Sequence, residues 1–287
     1  MDNTSLPKKS KKSSKKNLFY KDLKNVSGTY SDEIINQVEN NSDLLIKEYI
    51  KWNNSLVKLA EKTNISASNL KRIPYLLEKS TFNKIQKKLI KEKPTKIILG
   101  IAGPGAVGKE TIKNGLGFNM VINTTTREKR DYEIQDKHYH FISNNEYKNI
   151  VSKKGFVISM NRLGRGQYGI QKNDIEKIIL NSKVGIVEEN PKNLTAIKKY
   201  IESKKDCKFI LVYILPPSPI FCHLACRLAY RCKESGENFS SAINSTLGER
   251  QLKELNSVIG AINKKIDVVF LINDKVNRAI KKLKTIL

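Results

Sequence analysis

An apolar run, Lys96-Ile-Ile-Leu-Gly-Ile-Ala102, passes directly into Gly103-Pro-Gly-Ala-Val-Gly108-Lys109-Glu110-Thr111. No other segment narrows the fold as much. The glycines let the backbone curl until its N–H groups converge, the following helix turns its positive end on the same point, and Lys109 reaches over it. Strand, loop and helix in that order form a phosphate-binding arrangement of α/β folds. Gly103, Gly105, Gly108, Lys109, Glu110 and Thr111 are therefore candidate contacts for nucleotide phosphates. Glu110 stands where such loops carry a Ser or Thr hydroxyl for magnesium, so Glu110 or Thr111 is the candidate metal ligand.

The pattern on either side agrees with an α/β domain beginning at Pro94. Strands are expected at 96–102, 118–123, 139–142, 156–161, 184–188, 208–215 and 267–272. Helices are expected near 109–115, 144–153, 171–181, 191–203, 218–233, 239–264 and 274–287. Phe209-Ile-Leu-Val-Tyr-Ile-Leu215 is apolar without alternation, as a strand covered on both faces must be, so the sheet is read as mainly parallel and flanked by helices. Ser143 and Glu146 have the spacing of a capping box.

Upstream, the chain divides in two. Residues 1–24 carry eight lysines against Asp2 and Asp22 with almost no apolar residue before Leu18, so residues 1–30 are expected to be a disordered basic tail. Residues 31–93 form a helical extension. Ser42 is the expected cap of a helix to about Lys62 whose Leu45, Tyr49, Trp52, Leu56 and Leu59 share a face, and Ser68 and Ser80 are expected to cap two further helices. That face is read as core or as a surface packed on the following domain, residues 94–287.

Charge narrows the partner. Lys and Arg number 53 against 28 Asp and Glu, a net +25 that calls for something anionic. Most lysines follow no pattern, whereas six of the nine arginines fall in pairs: Arg127 with Arg130, Arg162 with Arg165, Arg227 with Arg231. Arginine grips phosphate through two parallel hydrogen bonds, which lysine cannot do. Cys207, Cys222, Cys226 and Cys232 lack the regularity of a secreted framework and read as reduced packing thiols, with a zinc site at Cys222 and Cys226 the weaker alternative. No run approaches the roughly 18 apolar residues of a membrane span. A cytoplasmic location is expected, or a nuclear one if the host has a nucleus, since Pro7-Lys-Lys-Ser-Lys-Lys12 suits such a signal.

Beyond the loop lie Thr124-Thr-Thr-Arg127-Glu-Lys-Arg130-Asp-Tyr-Glu133, Tyr139-His-Phe141, Gly164-Arg-Gly-Gln-Tyr168-Gly169, Leu215-Pro-Pro-Ser218, Arg227-Leu-Ala-Tyr-Arg231 and Ile272-Asn273-Asp274. In this order, over about residues 95–287, they resemble the guanylate kinase family. The resemblance implies a P-loop nucleoside monophosphate kinase fold, with ATP and Mg as cofactors and a nucleoside monophosphate as partner. It places Arg127, Arg130, Tyr139 and Tyr168 on the acceptor's phosphate, with Glu133 orienting the arginines. It adds Asn273 to the nucleotide contacts and makes Lys109, Arg227 and Arg231 the groups that meet the transferring phosphoryl group.

Departures from the family cluster at the base. Ser159 replaces the base-reading glutamate, Ile170 a Ser or Thr, Asn123 a serine, Glu188-Glu189-Asn190 an Asp-x-Asp, and Thr246 stands near a missing lid arginine. The acceptor base is therefore open, with GMP one candidate. A catalytically inactive module of the same family, binding phosphopeptides or nucleotides, is the alternative; intact glycines and Lys109 oppose it. A third reading, nucleic acid held by the tail and helices, lacks any base-stacking pattern. What remains of it is a weak polyanion contact through the basic tail.

Overall fold

A computed structural model of the chain describes residues 9–66, 71–162, 166–263 and 266–287. Its first helix, α1 (Lys9–Val26), corrects the expectation of a disordered tail over residues 9–30. Phe19, Leu23 and Val26, one helical turn apart, are buried, and Tyr49 donates a hydrogen bond to Asp22 at 2.7 Å. Their burial supplies the ordering free energy that the lysine count concealed. Residues 1–8 lie outside the described residues, as does Ser68.

Helices α2 (Asp32–Asn40), α3 (Ser42–Lys62) and α4 (Ile73–Glu92) complete the extension. Ser42 is the first helical residue of α3 rather than its cap, and Ser80 lies inside α4, which is one helix where two short ones were expected. The stripe Leu45, Tyr49, Trp52, Leu56, Leu59 is buried.

Strand β1 (Lys96–Ala102) leads through the phosphate loop to α5 (Lys109–Leu116) and the short β2 (Asn119–Met120). Next come β3 (Thr124–Thr125), β4 (His140–Phe141), α6 (Asn144–Ser152), β5 (Phe156–Arg162), β6 (Gly166–Gln171) and α7 (Lys172–Asn181). β7 (Val184–Glu188), α8 (Leu194–Glu202), β8 (Cys207–Leu215), α9 (Ile220–Ser235), α10 (Phe239–Thr246), α11 (Glu249–Asn263), β9 (Val268–Ile272) and α12 (Val276–Lys284) follow. The expected capping box of α6 forms in both directions between Ser143 and Glu146.

Among the described residues five strands pair in parallel in the order β2-β7-β1-β8-β9. Phe209 to Leu215 of β8 are wholly buried, as their unbroken apolar run requires. The fold class is α/β, as expected, but the sheet is not single. A second sheet, β4-β3-β6-β5, is built mostly of antiparallel pairs, and β3 and β6 were not foreseen. Two threonines are too few for a periodic signal, and Gly166 and Gly169 weaken β6 on propensity; pairing decides both. The helix expected over 239–264 breaks at Leu247-Gly248 into α10 and α11.

The extension packs on the following domain through all of its helices; α1 and α2 lie against α9, with Glu33 paired to Lys233. Side chains of α4 cap the open edge of β9, where the Phe270 and Ile272 N–H groups donate to Thr81 Oγ1 and Glu78 Oε1 at 3.0 and 2.8 Å. From α3, the buried Trp52 indole donates to the Leu247 carbonyl at 2.9 Å, and the Tyr49 ring meets Phe221 of α9 edge to face, with Trp52 tilted beside it.

Candidate active site

β1 delivers the loop to the carboxyl edge of the parallel sheet. Gly108 closes the loop with φ 90°, a conformation that side-chain-bearing residues rarely adopt. A Cβ there would lie 2.7 Å from the Asn273 side-chain nitrogen, which itself donates to the Val107 carbonyl at 2.7 Å. Arg227 of α9 braces the same turn: its guanidinium donates to the carbonyls of Val107 at 3.2 Å and Asn273 at 2.7 Å. Lys109 folds back over the loop, giving hydrogen bonds to the carbonyls of Gly103 at 2.7 Å and Pro104 at 3.1 Å. Burial lowers its pKa, and the charges of Glu188, Glu254 and Glu110 act in the opposite sense. Glu254 of α11 accepts from the Gly103 N–H at 3.3 Å.

The second sheet builds a different kind of pocket. Register pairs Thr125 with Tyr168 and Thr124 with His140, drawing the T-T-R segment, Tyr139 and Tyr168 together. Arg127 is gripped by Glu133 through both carboxylate oxygens, and its guanidinium lies 5.1 Å from the centre of the Tyr139 ring and 5.3 Å from that of Phe141. The hydrogen bonds from Arg127 hold the Glu133 pKa down to about 2, and Glu133 raises that of Arg127 in turn. Tyr139 and Tyr168 meet edge to face at 6.1 Å. Behind them His140 lies between Asp136 and Asp174, whose hydrogen bonds raise its pKa.

Arg130 does not join this group. Its backbone N–H donates to Glu133, but its exposed guanidinium donates to the Tyr132 hydroxyl at 2.7 Å. Glu133, expected to orient both arginines, bonds the guanidinium of Arg127 and only the backbone of Arg130. The two arginines of α9 also part company. Arg231 reaches Glu237 and the Thr246 hydroxyl, each at 3.3 Å, while Arg227 is committed to the loop carbonyls, so in this conformation they do not converge on one phosphoryl position. Thr246 packs on the loop itself: a Cβ at Gly105 would come within 2.4 Å of its methyl group.

Three contacts were not read from the sequence. Tyr147 of α6 donates to the Tyr168 carbonyl at 2.6 Å and meets the Ser159 hydroxyl at 2.9 Å, so it ties Ser159 to the strand that carries Tyr168. Its burial at helical spacing was the available signal. Glu254 and Lys113 gave none, because each is an ordinary charged residue on an amphipathic helix.

The glycine loop, the start of α5 and Lys109 fit a polyphosphate. A magnesium ion fits less well. Glu110 accepts a hydrogen bond from Lys113 at 2.7 Å, Lys113 is also paired with Glu188, and Thr111 is exposed on α5. The two carboxylates that a hard divalent ion would use are thus joined by an ammonium. No group of three or more His, Cys, Asp or Glu that could hold a metal occurs among the described residues, and Cys222, Cys226 and Cys232 are buried free thiols.

A family model described as Guanylate kinase matches residues 93–287. The guanylate kinase of Clostridium perfringens (strain 13 / Type A) is 28% identical over 196 residues, covering 67% of this chain and 82% of that protein. That of Malacoplasma penetrans (strain HF-2) is 29% identical over 203 residues, covering 69% of this chain and 94% of that protein. A crystal structure of guanylate kinase from Anaplasma phagocytophilum aligns with a TM-score of 0.44 at 16% identity, covering 67% of this chain and 85% of that one.

Proposed function

The chain belongs to the guanylate kinase family, and we propose that its loop 103–111 holds ATP while Arg127, Tyr139 and Tyr168 hold the phosphate of a nucleoside monophosphate, GMP in the first instance. It is an ATP-dependent phosphotransferase acting on a nucleoside monophosphate. The observation that carries the site assignment is the Arg127 fork, fixed by Glu133 between aromatic rings, opposite a glycine loop with its own lysine.

In the transfer, an oxygen of the acceptor phosphate forms a bond to the γ-phosphorus as the bond to the β,γ-bridging oxygen breaks. The transition state is loose and charged, so the protein's part is alignment and charge neutralisation. Arg127 arrives with its geometry settled. Lys109 exchanges two loop carbonyls for phosphate oxygens, which costs little because neutral hydrogen bonds give way to charge-assisted ones. Arg231, half-buried beside the Thr246 hydroxyl, is the α9 arginine placed to follow the phosphoryl group. Arg227 and Asn273 act as positioning residues that hold the loop's shape. Magnesium is the cofactor the family implies alongside ATP.

Ser159 stands on the base side, where a hydroxyl replaces a carboxylate, whereas Ile170, in register with Ile158, belongs to the core. A cytoplasmic location belongs to the same reading, in keeping with the free thiols. The reading is tested by coupled ADP release with GMP, AMP, CMP and UMP. One or more acceptors should turn over, and Lys109→Ala should lower kcat/KM by about 100-fold or more. No turnover with any acceptor, together with no ATP binding, would overturn it.

A further inference from the structure

Lys113 lies one turn beyond Lys109 on α5, yet only 6% of it is exposed. Its ammonium turns back toward the loop, donating to Glu110 at 2.7 Å and pairing with Glu188. Glu188 ends β7 and stands in register with Ile101 of β1, so this carboxylate flanks the strand end from which the loop departs. A buried ammonium costs several kcal/mol in lost hydration unless carboxylates compensate it. Here Glu110 and Glu188 supply that compensation, one on each side of the ammonium. The charges that act on Lys109 are those of Glu188, Glu254, Lys113 and Glu110. With Arg227, which braces the loop, three cations thus meet three carboxylates around it; without Lys113 the balance would fall to −1, facing an incoming triphosphate.

We propose that Lys113 is a built-in cation of the phosphate site: it fills the point between Glu110 and Glu188 that would otherwise take a divalent ion, and it keeps both carboxylates compensated when a polyphosphate binds. This rests on reading the loop as the ATP site, but the occupancy of the carboxylate pair is measurable without nucleotide or turnover. Glu110, at a position suited to a hydroxyl, and the buried Lys113 three residues later are joined as one pair. A carboxylate at 110 alone would add repulsion, whereas with Lys113 it anchors a cation.

The test is Mn2+ titration of the full chain without nucleotide, followed by paramagnetic resonance of the free ion. Lys113→Met should create one Mn2+ site at least about ten-fold tighter than anything in the unaltered chain, since two carboxylates and water suffice for a hard ion. Adding Glu188→Gln to that variant should abolish the site, and Lys113→Arg should behave as the unaltered chain. In the unaltered chain, Glu110→Gln and Glu188→Gln should leave Mn2+ binding unchanged, and this arm needs no Lys113 variant to fold. Mn2+ binding to the unaltered chain that Glu188→Gln abolishes would overturn the proposal. So would a folded Lys113→Met protein that gains no site. In turnover, Lys113→Met should raise the KM for ATP at equimolar magnesium, and excess free magnesium should restore it. If no variant and no unaltered protein turns over, the kinase reading fails while the Mn2+ result stands.

Discussion

The two halves of the site treat positive charge in opposite ways. In the acceptor pocket Arg127 is locked by a buried carboxylate, with both forks of the pair engaged and aromatic rings on its face. At the phosphate loop Lys109 rests on neutral carbonyls, Arg227 braces the loop from outside, and α10 lies on Gly105. The first arrangement is settled before substrate arrives, and its cost is met in folding. The second is made of contacts that a nucleotide can exchange. On the proposed reading, the Arg127 pocket recognises one rigid dianion, whereas the loop takes in a triphosphate and releases a diphosphate.

Removing the lock is the strongest way to break this contrast after loss of Lys109. Glu133→Gln should lower kcat/KM for the acceptor by roughly 10- to 100-fold, with the KM for ATP within about 2-fold, because only the Arg127 fork loses its charged partner. A stability effect accompanies it. The Glu133 pKa is lowered to about 2 from an ordinary 4.5, so its stabilising contribution is complete above pH 4.5 and fades as pH falls toward 2. Urea unfolding at pH 5 and pH 3 should show the unaltered chain losing more stability on acidification than Glu133→Gln.

Next in size is the contact over the loop. Trp52→Phe removes the hydrogen bond to the Leu247 carbonyl and should cost about 2 kcal/mol, a fall in Tm of roughly 4–8 °C. Any kinetic change should fall on ATP, and a change confined to the acceptor KM would contradict the division drawn above. The smallest effect belongs to Arg130. Exposed on Tyr132, it should tolerate Arg130→Ala with a loss of about 2- to 5-fold in kcat/KM. A loss equal to that of Glu133→Gln would mean that Arg130 swings into the pocket, which would then be assembled by substrate.

Features set by local chemistry were readable from the chain alone. The loop needs glycines at fixed places, and β8 needs an unbroken apolar run. What pairing decides was not readable. β3 and β6 exist because Thr124–Thr125 and Gly166–Gln171 find each other, and neither carries a strong period. Phe19, Leu23 and Val26 had helical spacing, but lysines around them suggested solvent. Arg227 and Arg231 share a helix and a spacing, and only the packing of the loop shows that one is a brace. Lys113 resembles any surface lysine until Glu188, 75 residues away, meets it.

Gly105 sets the headroom of the site. Its Cα faces the Thr246 methyl so closely that a single added carbon would sit 2.4 Å away. Every residue but glycine at 105 would therefore force the Thr246 methyl off the loop. The loop's second glycine serves the roof as well as the floor.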